Sequence, residues 1–324
     1  MNETILSGIL NALEDGVAAF DLDGRTLCCN AAAYRLLRMD EKTLRHVFDL
    51  PMPVRDFFKD VRTGDVSTVE LNGQALRLAY HDITENGLRV GAVLTVCDIG
   101  EQYRVERIRR EFTANVSHEL KTPLTSISGY AEMIENGMAK DADITAFAER
   151  IRRESNRMLA LVSDIISLSE LEERGIQEEE ETLDLFAIVK SNIETLNGAA
   201  LARGVTMQLV GEPLAIRANP VLMNELVYNL LDNAIRYNRS NGTVSVRVSG
   251  RTLSVRDTGI GIPKANRDRI FERFYRVDKS RSKATGGTGL GLAIVKHICE
   301  RYHAPIKLES AEGIGTEITV TFPQ

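Results

Sequence analysis

The chain has 324 residues, of which 43% are hydrophobic and 27% are charged, and its formal net charge is −6. A chain of this length suits two or three globular domains rather than one. The negative charge provides no basic surface for nucleic acid, so no nucleic-acid partner is expected. The four cysteines include no C-x-x-C pair and fit neither a zinc site nor a disulfide framework.

Nothing in the sequence predicts a membrane segment or a signal peptide. No run approaches the roughly 18 apolar residues that a membrane helix needs, and the N-terminus lacks a basic stretch followed by an apolar one. We therefore expect a soluble, cytoplasmic chain. Two origins fit this expectation: a whole cytoplasmic protein, or the cytoplasmic portion of a membrane-anchored receptor.

Residues 1–98 contain apolar segments separated by turn signals. Asp23-Gly24 lies between two strand-like segments and strongly favours a β-hairpin. The predicted elements are a helix at 9–13, strands at 17–22 and 25–29, a helix at 31–37, and strands at 66–71, 76–80 and 87–96. This order resembles a PAS sensor domain, and the resemblance implies that the domain binds an unknown ligand or partner.

Four side chains of this region are candidates for holding a cofactor, namely Cys28, Cys29, His46 and His81. Thiols that pack in the core and histidines on the surface are the favoured interpretation. No cofactor is therefore predicted for residues 1–98.

A long amphipathic helix is predicted over residues 101–138. Six apolar residues recur at steps of three or four and form one stripe, namely Val105, Ile108, Phe112, Val116, Leu120 and Leu124. His118 lies two residues beyond Val116, about 200° around a 3.6-residue helix, so it points away from the stripe and toward water. Pro123 removes the backbone donor for the carbonyl of Glu119, which predicts a local bend.

Residues 118–124 read His-Glu-Leu-Lys-Thr-Pro-Leu. This segment resembles the phospho-acceptor motif of bacterial two-component sensor histidine kinases, of the phosphate-regulon sensor type. The resemblance implies that His118 takes a phosphoryl group from ATP and passes it to an aspartate of a response-regulator receiver domain. Glu119 would orient the imidazole and accept its other proton. Thr122, on the His118 face, would position a water that dephosphorylates the regulator.

A second helix is predicted over residues 144–172, after a break at Asn136-Gly137 and a short connection. Its apolar face comprises Phe147, Ile151, Met158, Val162, Ile165, Leu168 and Leu171. A helical hairpin with one apolar face per helix cannot bury that face alone. Residues 99–175 are therefore expected to form an antiparallel four-helix bundle in a homodimer, which the kinase resemblance also implies.

Residues 176–324 alternate predicted strands with predicted helices, which is typical of an α/β layer fold. Strands are predicted at 205–210, 214–218, 244–248, 253–257, 306–310 and 316–322, and helices near 184–203, 220–237, 264–273 and 289–302. The acidic stretch 178–181 is interpreted as a linker between domains.

The predicted helix 220–237 carries a line of polar side chains beside its apolar stripe. Glu225, Asn229 and Asn233 repeat every four residues, and Arg236 follows. Carboxylate and amide oxygens suit a hydrated Mg²⁺ ion, and the segment resembles the asparagine motif of the histidine-kinase ATP domain, which implies that the positive charge of Arg236 serves phosphate. A solvated helix face that is rich in asparagine is the alternative.

Two glycine-containing turns lie downstream. Asp257 ends a predicted strand and precedes Gly259 and Gly261, so its carboxylate can accept a hydrogen bond from an amine of a planar ligand. A second cluster, 286–291, directly precedes a predicted helix, where backbone N–H groups converge on phosphate oxygens. The polar segment 277–285 predicts a mobile lid, with Arg276 at its edge as the candidate for contact with the γ-phosphate.

These motifs, in this order, resemble the ATP-binding domain of histidine kinases. That domain is an α/β sandwich of the superfamily that includes gyrase, heat-shock chaperones and mismatch-repair proteins. The resemblance implies ATP and Mg²⁺ as cofactors, with Mg²⁺ near Glu225, Asn229 and Asn233. The implied nucleotide contacts are Asn229, Asn233, Arg236, Tyr237, Asp257, Gly259, Gly261, Arg276, Gly287, Thr288, Gly289, Leu290, Gly291 and Thr316.

The sequence thus predicts a multidomain α+β protein: a PAS-like domain, a dimerising helical hairpin and an α/β-sandwich ATP-binding domain. The predicted function is that of a sensor histidine kinase. Two alternatives remain open. One is an ATPase of the gyrase and chaperone superfamily, which hydrolyses ATP without a phosphorylated histidine. The other is a ligand-binding dimeric scaffold with an inactive ATP site.

Overall fold

The structure, a computed structural model, describes residues 3–40, 43–59, 61–172, 180–277 and 287–323. The chain divides into two units, Met1–Thr113 and Ala114–Gln324, and each is described by itself. In the part of the chain that the structure describes, no helix is both long and apolar enough to cross a membrane.

The first unit is built on a five-stranded antiparallel sheet with the strand order β2-β1-β5-β4-β3. Its elements are α1 (Glu3–Ala12), β1 (Gly16–Asp21), β2 (Thr26–Cys29), α2 (Ala31–Leu37), a 3-10 turn (Val47–Asp49), α3 (Met52–Phe57), β3 (Val66–Leu71), β4 (Gln74–Glu85) and β5 (Leu88–Asp98). The predicted order of strands and helices is confirmed. Strands β4 and β5 are longer than predicted.

The buried side chain of Asn30 links α1, β1 and α2 by hydrogen bonds. The side-chain nitrogen of Asn30 donates to the carbonyls of Leu10 and Asp15, and its oxygen accepts from the amides of Val17 and Ala33. All the hydrogen-bonding capacity of the amide is therefore used, as burial requires. Asn30 caps α2 and fixes the approach of α1 to β1.

The four candidate cofactor residues have ordinary structural surroundings. His46 stacks on Phe48 and accepts from its amide at 3.2 Å, while the other ring nitrogen lies 2.8 Å from the carbonyl of Asp23. Burial raises the pKa of Cys29 to about 11, which disfavours its thiolate at neutral pH. Cys28 and His81 are exposed.

Two long helices follow, α4 (Gly100–Glu135) and α5 (Asp141–Glu172), which confirms the predicted helical hairpin. The first ends where predicted, before Gly137, whose φ of +64° lies in the left-handed region that favours glycine. Pro123 lies inside α4 and is buried, and the helix continues on both sides of it. The bend predicted at Pro123 stays a prediction.

The described residues from 180 onward form an α/β sandwich, as predicted. Its elements are β6 (Glu181–Asp184), α6 (Leu185–Ala202), β7 (Thr206–Gly211), β8 (Ala215–Ala218), α7 (Pro220–Arg236), β9 (Thr243–Ser249), β10 (Thr252–Asp257), a 3-10 turn (Lys264–Asn266), α8 (Gly291–Arg301), β11 (Ile306–Ala311) and β12 (Gly315–Thr321). The main sheet has the order β11-β12-β10-β9-β7, with β7 and β9 parallel and the other pairs antiparallel.

Helix α7 is the central helix of this layer, since it packs against α6, α8 and strand β10. Asn219 caps it by accepting from the amides of Val221 and Leu222. The predicted stripe is fully buried, comprising Leu222, Leu226, Leu230 and Ala234. Burial of the apolar stripe leaves the neighbouring polar line of α7 at the edge of the core, where a ligand can reach it.

Two predictions in this region are wrong. Residues 264–273 form a short 3-10 turn and further turns instead of a helix. Six of the ten residues in this segment are charged, and Ile270 is its one buried side chain, so an amphipathic helix has no face to bury. Glu181, interpreted as linker, begins β6, which pairs with β8. Residues 178–179 of that linker, and 278–285 of the predicted lid, lie outside the described residues.

Candidate functional site

The polar line of α7 is organised by hydrogen bonds along the helix. The side-chain nitrogen of Asn229 donates to the carbonyl of Glu225, and that of Asn233 donates to the carbonyl of Asn229, each at 2.9 Å. A Cβ placed on Gly291 would lie 2.5 Å from the side-chain oxygen of Asn229. The amide oxygen of Asn229 therefore faces the start of α8 and the loop before it.

Arg236, one turn after Asn233, is held by its own helix. Its Nε donates to Oδ2 of Asp232, and both side chains are partly buried. This ion pair fixes a guanidinium at the C-terminal end of α7 with its stem packed. A positive charge is thus available near the polar line, although in this structure it is paired with a carboxylate.

Asp257 stands at the end of β10 with its carboxylate fixed by the backbone. One oxygen, Oδ1, accepts from the amide of Gly259 at 2.7 Å and from that of Thr316 at 3.3 Å. Burial raises the pKa of Asp257, and these two amides act in the opposite direction by stabilising the charged form. The carboxylate is therefore positioned before any ligand arrives.

The two glycines that follow Asp257 are required by the protein's own packing. A Cβ on Gly259 would collide with the carbonyl oxygen of Tyr237, and one on Gly261 would collide with that of Ala311. Gly261 also has a φ of +66°, which side chains rarely tolerate. The sequence predicted that these glycines let the backbone approach a planar ligand. In the structure they also let the turn pack closely against the end of α7 and against β11, and these contacts set its position.

The glycine loop before α8 presents an uncapped helix N-terminus. Helix α8 begins at Gly291, and its N-cap residue, Leu290, is buried and offers no side-chain cap. The amide of Leu290 lies 3.3 Å from the hydroxyl of Thr288, and Arg276 donates to the carbonyl of Gly287. First-turn amides without a side-chain cap are a favourable binding site for an anion such as phosphate.

These groups surround one cavity of about 710 Å³, a size that accommodates a nucleotide. The predicted residues that line it are Asn229, Asn233, Arg236, Tyr237, Asp257, Gly261, Arg276, Gly287, Thr288, Gly289, Gly291 and Thr316. Three predicted residues, Glu225, Gly259 and Leu290, are adjacent in sequence or along a helix to the lining but are not part of it. His118, Glu119 and Thr122 do not line the cavity either.

The predicted phospho-acceptor is exposed on α4, as expected from its position off the apolar stripe. The hydroxyl of Thr122 donates to the carbonyl of His118 at 3.1 Å. Oε2 of Glu119 lies 3.0 Å from Nη2 of Arg157 on α5 and 3.7 Å from Nη2 of Arg276, and the role of Glu119 toward the imidazole stays a prediction. In this structure the carboxylate is engaged with two guanidinium groups rather than with the imidazole.

Two family models match the chain. Residues 108–174 match the His Kinase A (phospho-acceptor) domain, and residues 218–324 match the histidine kinase-, DNA gyrase B-, and HSP90-like ATPase. Over 98% of its length the chain is 34% identical to the sensor protein kinase WalK of Staphylococcus aureus, and the match covers 80% of that protein. The chain belongs to the sensor histidine kinases.

A second relative agrees with this assignment, and one solved structure shares the fold. The chain is 35% identical to sensor protein kinase WalK of Staphylococcus haemolyticus over 98% of its length, but spans only 55% of that protein. The crystal structure of the histidine kinase ThkA, in complex with the response regulator protein TrrA, matches the whole chain with a TM-score of 0.54 and 20% identity, covering 98% of ThkA. The latter shows a common fold. The likeness to phosphate-regulon sensors stays a prediction.

The structure brings residues of α5 to the site that the sequence did not single out. Asp164 and Ala160 line the cavity, and Thr288 donates to Oδ2 of Asp164 at 2.5 Å. Arg157, on the same helix, binds Glu119. The available signal was Leu161, which the predicted apolar face did not include: it is buried, and α5 packs against α8.

Proposed function

We propose that this kinase transfers the γ-phosphoryl group of ATP to His118 and then to an aspartate on the receiver domain of a response regulator. The observation that carries the proposal is an exposed histidine in the same unit as a nucleotide-sized cavity lined by a fixed carboxylate, asparagines and an uncapped helix N-terminus. A nucleophile that water can reach and a phosphate-binding site are the two requirements of phosphoryl transfer.

The cavity residues divide into a base end and a phosphate end. Asp257, whose carboxylate is fixed beside Thr316, would accept the amino group of adenine. Thr288 and the first-turn amides of α8 would bind phosphate oxygens, since they lie at a helix N-terminus. Arg276, and Arg236 once released from Asp232, would neutralise the charge of the β- and γ-phosphates.

The polar line of α7 provides the donor set for a magnesium ion. The ion would be held by Glu225 with the amide oxygens of Asn229 and Asn233, and by water. Such an incomplete oxygen set suits Mg²⁺, which keeps several waters. When bound, the ion would neutralise charge on the phosphates.

The chemistry at His118 is an in-line substitution. A bond forms between an imidazole nitrogen and the γ-phosphorus, the bond from that phosphorus to the bridging oxygen breaks, and ADP leaves. The other imidazole nitrogen must give up its proton, for which Glu119, the next residue, is our candidate acceptor. Because Glu119 is paired with Arg157 and Arg276 in this structure, it must be released from Arg276 before it can serve His118.

The test is to incubate the chain with Mg²⁺ and ATP radiolabelled in the γ-phosphate. We expect covalent label on the protein that is stable in base and lost in acid, and no label from ATP marked in the α-phosphate. Release of inorganic phosphate without protein labelling would instead support an ATPase of the gyrase type. Failure to bind nucleotide at all would support the scaffold alternative.

We propose that the chain forms a dimer, because both helices of the hairpin carry apolar residues that are exposed in a single copy. Leu124 of α4 is 53% exposed, and Leu159, Val162 and Ile166 of α5 lie along one stripe, with Leu159 69% exposed. Exposed stripes on both helices match the predicted four-helix bundle formed with a second copy. The homodimer would place two hairpins around one core.

We expect Ile166→Glu to weaken dimerisation by at least about 100-fold, because each copy would bury an unpaired carboxylate. Sedimentation equilibrium measures the change. Arg153→Glu, at an exposed position of α5 away from the stripe, is the control and should leave the dimer intact. A dimer that tolerates the Ile166 substitution as well as the control would contradict the proposed interface.

A phosphatase activity toward the regulator is proposed from Thr122, which lies one turn after His118. We expect Thr122→Ala to lower dephosphorylation of a phosphorylated receiver domain by about tenfold, and by more than it lowers autophosphorylation, because a positioned water is lost. Thr125→Ala is a matched control, since Thr125 makes the same kind of hydrogen bond to the carbonyl of Lys121. Equal loss in both variants would show that only helix structure had changed.

We propose the domain limits 1–98, 99–175 and 176–324, with a PAS-like domain first. The strand order of the sheet in the first unit supports the PAS-like assignment, and the ligand or partner of that domain is unknown. Because ATP is supplied in the cytoplasm, we propose that the kinase domains act there. Limited proteolysis, with cleavage expected near residues 98 and 175, tests these limits.

A further inference from the structure

The helical hairpin contributes two carboxylates to the phosphate end of the cavity. Asp164 of α5 accepts from the hydroxyl of Thr288 at 2.5 Å, and Glu119 of α4 lies 3.7 Å from the guanidinium of Arg276. Thr288 and Arg276 are two of the side chains that we assign to phosphate binding. Each of them is therefore satisfied by a carboxylate of the hairpin in this structure.

The surroundings of Asp164 are poor for a carboxylate. Burial raises its pKa, because desolvation outweighs the hydrogen bond from Thr288 and the attraction of Arg236. Arg236 is itself bonded to Asp232, whose charge repels that of Asp164. The hydroxyl of Thr288 donates to this carboxylate and holds it at a position that is suited to an anion.

Arg276 shows the complementary situation. Its side chain is only 8% exposed, and burial lowers the pKa of its guanidinium while the charge of Glu119 raises it. A buried guanidinium without an anion is costly, so Arg276 requires either Glu119 or a phosphate as its partner. Both carboxylates and the nucleotide phosphates thus compete for the same two groups.

We propose that Asp164 and Glu119 are stand-ins for the phosphates of ATP, and that Mg-ATP binds only by displacing them from Thr288 and Arg276. The inference rests on the proposed function and adds a determinant of nucleotide affinity on α5. Nucleotide binding and contact between the hairpin and the cavity then oppose each other, and by linkage each weakens the other by the same factor. Displacement also removes Arg276 as a partner of Glu119 and leaves Glu119 paired with Arg157.

The inference is tested by calorimetric titration of the full chain with a non-hydrolysable Mg-ATP analogue and, by competition, with adenosine. Asp164→Asn keeps the shape and a hydrogen-bond acceptor but removes the charge that excludes phosphate. We expect the analogue to bind at least about fivefold more tightly to this variant, and adenosine to bind equally to variant and parent. Adenosine has no phosphate and is the internal control.

Glu149→Gln is the matched control variant, because it removes the same charge from an exposed position of α5 about 22 Å along the helix. It should change neither affinity. Glu119→Gln provides a second variant and should also tighten the analogue without affecting adenosine. Thermal melting checks that both variants fold.

Unchanged or weaker binding of the analogue to Asp164→Asn would overturn the inference. Equal tightening of adenosine would also overturn it, since that result indicates a general loosening of the cavity. Consider the outcome in which the parent chain binds the analogue and is labelled on histidine by γ-labelled ATP. If Asp164→Asn then binds the analogue with the same affinity as the parent, only this inference fails. If the parent binds neither ligand, the proposed function fails with it.

Discussion

Replacement of His118 by alanine is expected to abolish covalent labelling of the kinase from γ-labelled ATP, a loss of at least about 100-fold. The residue supplies the nucleophilic nitrogen, and alanine has no group that can form the bond to phosphorus. His118 is exposed on α4 and outside the apolar core, so the substitution should leave the fold intact. Nucleotide affinity should be unchanged, because His118 does not line the cavity.

His81→Ala is the control for this experiment, since His81 is also exposed but lies on β4 of the first unit. It should be labelled as the parent is. Acid-labile label that persists in His118→Ala would contradict the assignment of the phospho-acceptor. Loss of label together with loss of nucleotide binding would show that the substitution had disturbed the cavity instead.

Asp257→Asn is expected to weaken binding of ADP by roughly 10- to 150-fold, equivalent to about 1.5–3 kcal/mol for a lost hydrogen bond to a charged group. The amides of Gly259 and Thr316 can still donate to the asparagine oxygen, which turns the new NH₂ group toward the other side. A donor would then face the amino group of adenine, which is also a donor. The variant should fold, because burial disfavours the charged form of Asp257.

The same argument predicts a change of base preference that a general loss of stability would not produce. Guanine has a carbonyl where adenine has an amine, so the asparagine NH₂ can donate to it. The ratio of GDP to ADP affinity should therefore rise in Asp257→Asn, as measured by calorimetry. Glu309→Gln, an exposed carboxylate on β11, is the control and should leave the ratio unchanged. A parallel loss of both nucleotides would argue against base recognition by Asp257.

The sequence predicted most completely the elements in which local pattern and burial agree. Helix α7 combines an asparagine cap, a proline in its first turn and an apolar stripe of period near four, and the structure places it almost where predicted. Strands β9 and β10 alternate apolar and polar residues and are likewise found. In such elements the sequence pattern and the tertiary environment favour the same structure.

The predictions failed where tertiary contacts decide the outcome. Residues 264–273 were predicted as a helix but form turns, because Ile270 is the one side chain of this segment that is buried. The partners of Glu119 could not be foreseen, since Arg157 and Arg276 are distant in sequence and meet it only in the fold. Asp164 was missed because one carboxylate on an amphipathic helix looks like ordinary surface charge until α8 packs beside it.

The glycines of the site were predicted in part. Their positions in turns after β10 and before α8 could be read from the sequence, and they located the site. The contacts that require glycine at these positions could be inferred only in part. Gly291 is required because a Cβ would lie 2.5 Å from the side-chain oxygen of Asn229, a contact between α7 and α8 that depends on how the helices pack.

The most direct test of the account is to locate the phosphoryl group after reaction with Mg-ATP. Trypsin digestion at alkaline pH should release the peptide 111–121, which contains Thr113, Ser117 and His118, and tandem mass spectrometry can assign the modified residue. We predict phosphorylation of His118 in that peptide. Phosphate on Thr113 or Ser117, or an unmodified peptide from a chain that consumes ATP, would contradict the account.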